Sequence, residues 1–257
     1  MKTTCTVLCE NTAGFPFKVI GEHGLSILIE RGDQRILFDT GQGLALTANA
    51  AAMGKDLAAV NTVVLSHGHY DHTGGLAGFL EKSGKTTVMG HPDVLLDRYA
   101  QIGAEGSGTP PLSIGIPISR EEMEEKGARF ELSTLFQEIA PDIFHTGEVP
   151  RPPDWKSWDP RLLIQDGDGY RSDPFRDDPS LVLETDKGAV LLLGCAHAGL
   201  HAIVNHIRKE TGLDRFHAII GGTHLGATGR EDWEKALDLL ETLQVEKIAP
   251  GHCTGIQ

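Results

Sequence analysis

The sequence predicts an α/β fold in one large domain, and three observations carry that prediction. Short apolar strands alternate with helical stretches through the first hundred residues, and the alternation returns after residue 180. The apolar runs repeatedly stop at polar motifs, as happens where side chains from separate strands converge at one edge of a sheet. The chain has 257 residues and is 40% hydrophobic, enough to bury a sizeable core in a single domain or a domain with an insertion.

Taken in order, an early strand carries Cys5 and Cys9, and residues 25–29 and 35–38 read as a hairpin turning at Arg31-Gly32-Asp33-Gln34. Asp39-Thr40-Gly41 ends it. Residues 44–53 are rich in Ala and Leu and close at Gly54, the pattern of a helix with a glycine after its last turn. An apolar strand over 61–65 leads into Ser66-His67-Gly68-His69-Tyr70-Asp71-His72, followed by a helix over 76–82 ending at Gly84 and a strand over 86–89.

The rhythm breaks between residues 103 and 179, where Gly106-Ser107-Gly108-Thr109-Pro110-Pro111, Pro150-Arg151-Pro152-Pro153 and Asp166-Gly167-Asp168-Gly169 are turn and loop chemistry. We read this segment as an insertion lying over a site. Within it Ser119-Arg120-Glu121-Glu122 predicts a capping box, and residues 128–132 alternate like an edge strand. Residues 180–184 and 189–193 form a second hairpin. A helix carrying Leu200, Ile203, Val204 and Ile207, a strand over 217–220, a helix over 233–243 and a strand over 245–249 complete the chain.

Three histidines and an aspartate within six residues after a strand form a metal-binding cradle. Two histidines at i and i+2 can converge on one cation while the Asp-His pair faces a second. Asp39, His197, His224 and His252 each follow the end of another apolar strand, so the topology brings them toward the same edge. Asp166-Gly167-Asp168-Gly169 begins like a calcium loop but lacks glycine at the sixth position and reads as an acidic turn. The spacing of His201 and His206 does not suit a shared metal, so they read as helix surface or core.

The run from His67 to His72 resembles the HxHxDH signature of the metallo-β-lactamase superfamily, and Asp39-Thr40-Gly41 and Gly251-His252 match further landmarks of it. The resemblance implies a four-layer αββα sandwich with a dinuclear metal site on one edge. Gly194-Cys195-Ala196-His197, Gly221-Gly222-Thr223-His224 and Gly251-His252-Cys253 resemble a narrower branch, which includes enzymes that condense a dihydropterin with a ribofuranosyl-aminobenzene phosphate. Many of its members are known only as metal-dependent hydrolases.

By that resemblance His67, His69 and a third histidine bind one metal, and Asp71, His72 and His252 bind the other. His197 is the choice for the third histidine and His145 the runner-up. The strand that usually ends in a bridging aspartate ends here in Cys195, either a replacement thiolate or a small buried residue. Asp39 orients ligand histidines through their other ring nitrogen. His224 is placed for substrate, and Arg151 is either an anion clamp or a solvated surface residue.

The function expected is hydrolysis of a small substrate, phosphorylated or not, by a hydroxide held on two divalent cations, with Asp71 and His224 as the catalytic side chains. Zinc is the first choice of metal, with manganese, iron or magnesium as alternatives. One rival is a magnesium-dependent transferase joining a pterin diphosphate to an aromatic amine, and another is a non-catalytic sensor built on the metal pocket. A net charge of −13 without a basic block disfavours nucleic acid as a partner. Four cysteines form no disulfide framework, and no stretch approaches the length of a membrane span, so a soluble protein of the reducing cytoplasm is expected. Oligomeric state is left open.

Overall fold

The computed structural model describes residues 2–16, 18–104, 108–151 and 155–255. Its first part forms β1 (Thr3–Cys9), β2 (Ser26–Arg31), β3 (Gln34–Phe38), helix α1 (Leu46–Ala52), β4 (Thr62–Val64), helices α2 (Tyr70–Thr73) and α3 (Leu76–Ser83), and β5 (Thr86–Gly90). The middle adds β6 (Arg98–Ala100), β7 (Leu112–Ser113), α4 (Arg120–Glu125), β8 (Ala128–Leu132), β9 (Gln137–Ala140), β10 (Ile143–His145), β11 (Leu162–Asp166) and β12 (Gly169–Ser172). The last part is β13 (Leu181–Leu183), β14 (Ala189–Leu193), α5 (Leu200–Thr211), β15 (Phe216–Gly221), α6 (Arg230–Thr242) and β16 (Lys247–Pro250).

Two six-stranded sheets, ordered β1-β2-β3-β4-β5-β8 and β16-β15-β14-β13-β10-β9, stack face to face. Period-two alternation assigns their side chains to layers. Ile27, Ile29, Ile36, Phe38 and Val64 of the first sheet meet Ile143, Leu181, Leu183 and Leu192 of the second in a shared central core. Their sequence neighbours Leu28, Leu37 and Val63 point outward to Leu46, Leu76 and Phe79 under α1 and α3. On the opposite outer face Val182, Leu191 and Leu193 pack on Ile203, Val204 and Ile207 of α5 and on Leu239 of α6. The result is the four-layer αββα sandwich. All of these residues except Leu239 are essentially inaccessible to water, so truncating any one to Ala costs about 2–5 kcal/mol.

Local chemistry sets the element ends. Ser119 accepts the Glu122 amide while the Glu122 carboxylate accepts the Ser119 amide, a complete capping box opening α4. Gly84 ends α3 and Gly212 ends α5. The helix expected at 233–243 begins at Arg230, one turn earlier, and the last strand pairs over Lys247–Pro250 instead of 245–249.

The segment from 103 to 179 divides. β8 is the edge strand of the first sheet, parallel to β5, and β9 and β10 belong to the second sheet, so residues 128–145 are part of the sandwich itself. The sequence reads β8 as an edge strand, whereas β9 and β10, a hairpin of four and three residues, are too short to show a period. The remainder contributes β7, β11 and β12, which join β6 in a separate four-stranded sheet, β12-β11-β6-β7. The acidic stretch 166–169 is the turn of its β11–β12 hairpin. The loop motifs at 106–107 and 152–153 lie outside the described residues. No helix among the described residues is long and apolar enough to cross a membrane.

Candidate metal centre

β3 and β4 run parallel, so Asp39 after β3 and the histidine loop after β4 emerge side by side. Asp39 is fully buried. Its Oδ1 accepts the Ser66 amide at 2.7 Å, and its Oδ2 accepts the Ser66 hydroxyl at 2.6 Å and His72 Nδ1 at 2.6 Å. Those bonds compensate its desolvation and fix the proton of His72 on Nδ1, which leaves Nε2 free to face the site. The Ser66 hydroxyl lies 3.0 Å from His67 Nδ1, setting the same tautomer there. The loop fits only without side chains at two places: a Cβ on Gly68 would collide with the Val94 carbonyl and the Arg98 guanidinium, and one on Gly194 with Ser66.

The free nitrogens converge in two groups. His67 Nε2 and His69 Nδ1 are 2.9 Å apart, and His197 completes a fully buried trio whose donor atoms lie within 4.8 Å of one another. His69 Nε2 and His197 Nε2 have no hydrogen-bond partner among the described residues. In the second group His72 Nε2 lies 3.0 Å from His252 Nε2, and Asp71 Oδ2 is 3.2 Å from His252 Nε2 and 3.6 Å from His72 Nε2. His252 Nδ1 donates to Asn11 Oδ1 at 3.0 Å, so both Nε2 atoms face the same space and offer lone pairs there once a cation displaces the protons that the neighbouring carboxylates favour. Imidazole nitrogens with one carboxylate suit a divalent cation of the zinc class. His145 lies apart: its Nδ1 accepts the Gly147 amide at 3.1 Å, and it joins none of the donor groups. The geometry thus brings together His67, His69, Asp71, His72, His197 and His252, and leaves out His145.

The electrostatics differ between the groups. Burial holds the imidazolium forms of His67 and His197 well below the usual range, reinforced by neighbouring histidines, and holds His69 down at about 3. Burial also opposes charge on His72, but Asp39 and Asp71 outweigh it and raise His72 to about 9. Asp71 is buried, which favours its neutral form. His72 and the hydrogen bond from His252 overcome this and keep it well below the carboxylate range.

The second sheet supplies its donors one strand end at a time. Cys195 and His197 follow β14, His224 follows β15 and His252 follows β16, and these three strands are parallel. Ala196, His224 and His252 adopt left-handed backbone with φ of 55°, 55° and 52°, as Asp39 does at 58°. Non-glycine residues held there cost of order 1 kcal/mol or more each and cluster where a site dictates direction. Cys195 Sγ lies 3.2 Å from His72 Nε2, and Cys253 Sγ accepts the His224 amide at 3.3 Å. Burial pushes the Cys195 thiol up. Burial also opposes charge on the partly buried Cys253, but hydrogen bonds with Cys195 and His224 pull its thiol down.

Sequence reasoning missed the segment from Asp173 to Asp178, which ties the two ligand loops together. Asp177 Oδ2 accepts the amide of Gly68, between His67 and His69, at 2.9 Å, and Asp178 Oδ2 accepts the amide of Ala198, beside His197, at 2.7 Å. The Phe175 ring stacks on His197 at 3.8 Å and 9°. Arg98, itself buried, donates to Asp173 at 2.8 Å and Asp177 at 2.5 Å. The pair of acids before an apolar strand was the signal available. Arg151 is half-buried, donates to the Phe175 carbonyl and lies over the Trp155 ring at 4.7 Å, and it is not among the residues lining the cleft onto which the donors open.

The donors open onto a cleft of about 520 Å³, lined also by His23, Tyr70, Asp159, Arg161 and His224. His224 sits 4.5 Å from His197, ring centre to ring centre, with Nδ1 buried and unpartnered among the described residues. His23, a residue the sequence did not single out, is about half exposed and reaches Asp71 Oδ2 at 3.3 Å. His201 is exposed, while His206 is buried with Nε2 2.9 Å from the Thr146 carbonyl, so neither enters the site.

A protein of Methanocaldococcus jannaschii named 7,8-dihydropterin-6-methyl-4-(beta-D-ribofuranosyl)-aminobenzene-5'-phosphate synthase is 29% identical, over 97% of this chain and 87% of its own length. An uncharacterised protein of the same organism is 32% identical over 98% of this chain and 90% of its own. A solved structure of a metal-dependent hydrolase of the beta-lactamase superfamily matches with a TM-score of 0.81 at 28% identity, covering 98% of this chain and 88% of that one. The sequence profile of the metallo-beta-lactamase superfamily begins matching at residue 19 and ends at His252, the last of the converging donors. Profile, fold and donor placement agree: the chain belongs to the metallo-beta-lactamase superfamily.

Proposed function

We propose that the protein is a hydrolase of a small molecule, phosphorylated or not, working with two divalent cations of the zinc class. His67, His69 and His197 would hold one, and Asp71, His72 and His252 the other. The observation that carries this reading is the 3.0 Å approach of His72 Nε2 to His252 Nε2, with both Nδ1 protons committed elsewhere and Asp71 alongside. When bound, such cations supply Lewis acidity and make water a nucleophile at neutral pH.

The side chains supply the rest. Asp71 orients the attacking water, and His23, which touches the same carboxylate oxygen and reaches solvent, carries the released proton out. His224 lines the cleft and donates to a substrate oxygen as charge develops. Free thiols at Cys5, Cys9, Cys195 and Cys253 suit a reducing cytoplasm.

The test is metal analysis of protein purified without added metal, with a screen of phosphodiester, lactone and thioester substrates against His67→Ala and Asp71→Asn. Tightly held zinc or iron, with activity lost in both variants, is the expected result. Full metal content and full activity in both variants would overturn the assignment.

Whole-chain similarity to the M. jannaschii synthase favours a second reading, a magnesium-dependent transferase joining a pterin diphosphate to an aromatic amine. Weakly held magnesium and turnover of a pterin diphosphate, with no hydrolysis, would select it.

A further inference from the structure

Two turns of the second sheet bring a pair of free thiols together at the cleft. Cys195 follows β14 and Cys253 follows β16, and their sulfurs and a ring nitrogen of His252 lie within 4.8 Å of one another. Both residues line the cleft, but not equally: Cys195 is 3% exposed, whereas Cys253 is partly open to it. The Cys253 sulfur accepts the His224 amide at 3.3 Å and donates to the Cys195 carbonyl at 3.7 Å, so it sits directly against the backbone of the other cysteine. Bare Gly222 makes the room, since a Cβ there would stand 2.6 Å from the Cys253 sulfur and 3.3 Å from the Cys195 Cα. The other thiols form no such pair: Cys5 and Cys9 are four residues apart on β1, about 13 Å along an extended strand and beyond disulfide reach.

We propose that Cys195 and Cys253 are an oxidative modification site, a dithiol that hydroperoxides convert reversibly to a disulfide. The more open Cys253 reacts first: its sulfur attacks the outer oxygen of the hydroperoxide, the O–O bond breaks, and the alcohol or water so formed departs with the thiol proton, leaving Cys253 as a sulfenic acid. The Cys195 sulfur then attacks the oxidised sulfur, the S–S bond forms, and the hydroxyl leaves as water with the Cys195 proton. The two thiols lose two electrons and the peroxide gains them. A thiol reductant reverses the bond by exchange. Closing the sulfurs to a bond of about 2 Å moves the backbone of both turns. His252 directly precedes Cys253 and His197 lies two residues beyond Cys195, so the bond draws one donor of each group out of line and the oxidised cleft holds metal more weakly. The disulfide does not depend on the proposed reaction, and its effect on metal rests on the donor assignment above.

The experiment treats the reduced full chain with hydrogen peroxide, alkylates it under denaturing conditions and maps it by mass spectrometry, with Cys195→Ser and Cys253→Ser beside the parent. The parent should lose two hydrogens, yield a linked peptide pair containing Cys195 and Cys253, and keep Cys5 and Cys9 open to alkylation, and dithiothreitol should restore every thiol. Cys195→Ser should stop at a Cys253 sulfenic acid that dimedone traps, and Cys253→Ser should stay unmodified at Cys195. In competition with a chelator the oxidised parent should bind zinc about 10-fold or more weakly than the reduced parent. Both thiols still open to alkylation after peroxide, or a linkage through Cys5 or Cys9, would overturn the modification site. A disulfide that forms and leaves zinc affinity unchanged would overturn its effect on the metal. Failure of the reduced parent to bind zinc would overturn the donor assignment, while the peptide map still decides the disulfide.

Discussion

The two sheets contribute to one site in contrasting ways. The first concentrates His67, His69, Asp71 and His72 in a single loop and helix turn, held from behind by Asp39 and Ser66. The second spreads Cys195, His197, His224 and His252 over the ends of three parallel strands, three of the turns using left-handed backbone at a non-glycine residue. A concentrated set is ordered by local hydrogen bonds and is visible as a motif. A dispersed set is ordered by the sheet and exists only once β14, β15 and β16 are paired. The difference teaches that half of such a site is local in the chain and the other half depends on strand pairing across the second sheet.

The comparison can be broken first where the halves are joined. Arg98→Met leaves Asp173 and Asp177 buried without their cation and should cost about 3–5 kcal/mol in urea unfolding. A loss under about 1 kcal/mol would mean that the segment from Asp173 to Asp178 does not tie the loops.

Next is a histidine outside the site that tests the second sheet by itself. Burial, aided by His91, pushes His145 down to about 4 from an ordinary value near 6.5. The unfolded chain then takes up a proton below pH 6.5 that the native protein refuses until about pH 4. Stability from this group is complete above pH 6.5 and drains as pH falls, by about 3 kcal/mol in all. His145→Asn keeps an acceptor for the Gly147 amide and should flatten that part of the parent's stability-against-pH curve. An unchanged slope would show that His145 titrates normally.

A smaller effect addresses the concentrated loop. Asp39→Asn should weaken metal affinity by about 10–100-fold in competition with a chelator, since it frees the His72 ring to choose the wrong tautomer. The smallest addresses the dispersed half: Phe175→Leu removes the ring stacked on His197, worth about 0.5–1.5 kcal/mol, or up to about tenfold in metal affinity. If Phe175→Leu proved more damaging than Asp39→Asn, the dispersed half would be the better organised one.

Much of the fold was legible because period two along 25–38, 61–65 and 181–193 maps directly onto layers, with Leu28 facing one core and Ile27 and Ile29 the other. The four-stranded sheet was not, because β6, β7, β11 and β12 are two to five residues long and its central pair, β6 and β11, meets across more than sixty positions. In the site, His67 to His72 was readable from spacing alone. His197 was chosen over His145 by resemblance, and the structure places His197 beside His67 and His69. Asp177, Asp178 and His23 were not readable, since each acts through a tertiary contact that leaves no periodic trace in the chain.

The segment from Asp173 to Asp178 grips both ligand loops, while the opposite wall touches only the first of them, where the Ile114 carbonyl accepts the Tyr70 amide at 2.9 Å. Variation therefore has unequal freedom around the cleft. Changes to the segment alter metal retention and substrate fit together and are rejected together. Side-chain changes at Ala100 and Leu162, which line the cleft from the small sheet, are placed to retune which molecule is accepted, whereas Arg98 of the same sheet is tied to the segment that holds the ligand loops.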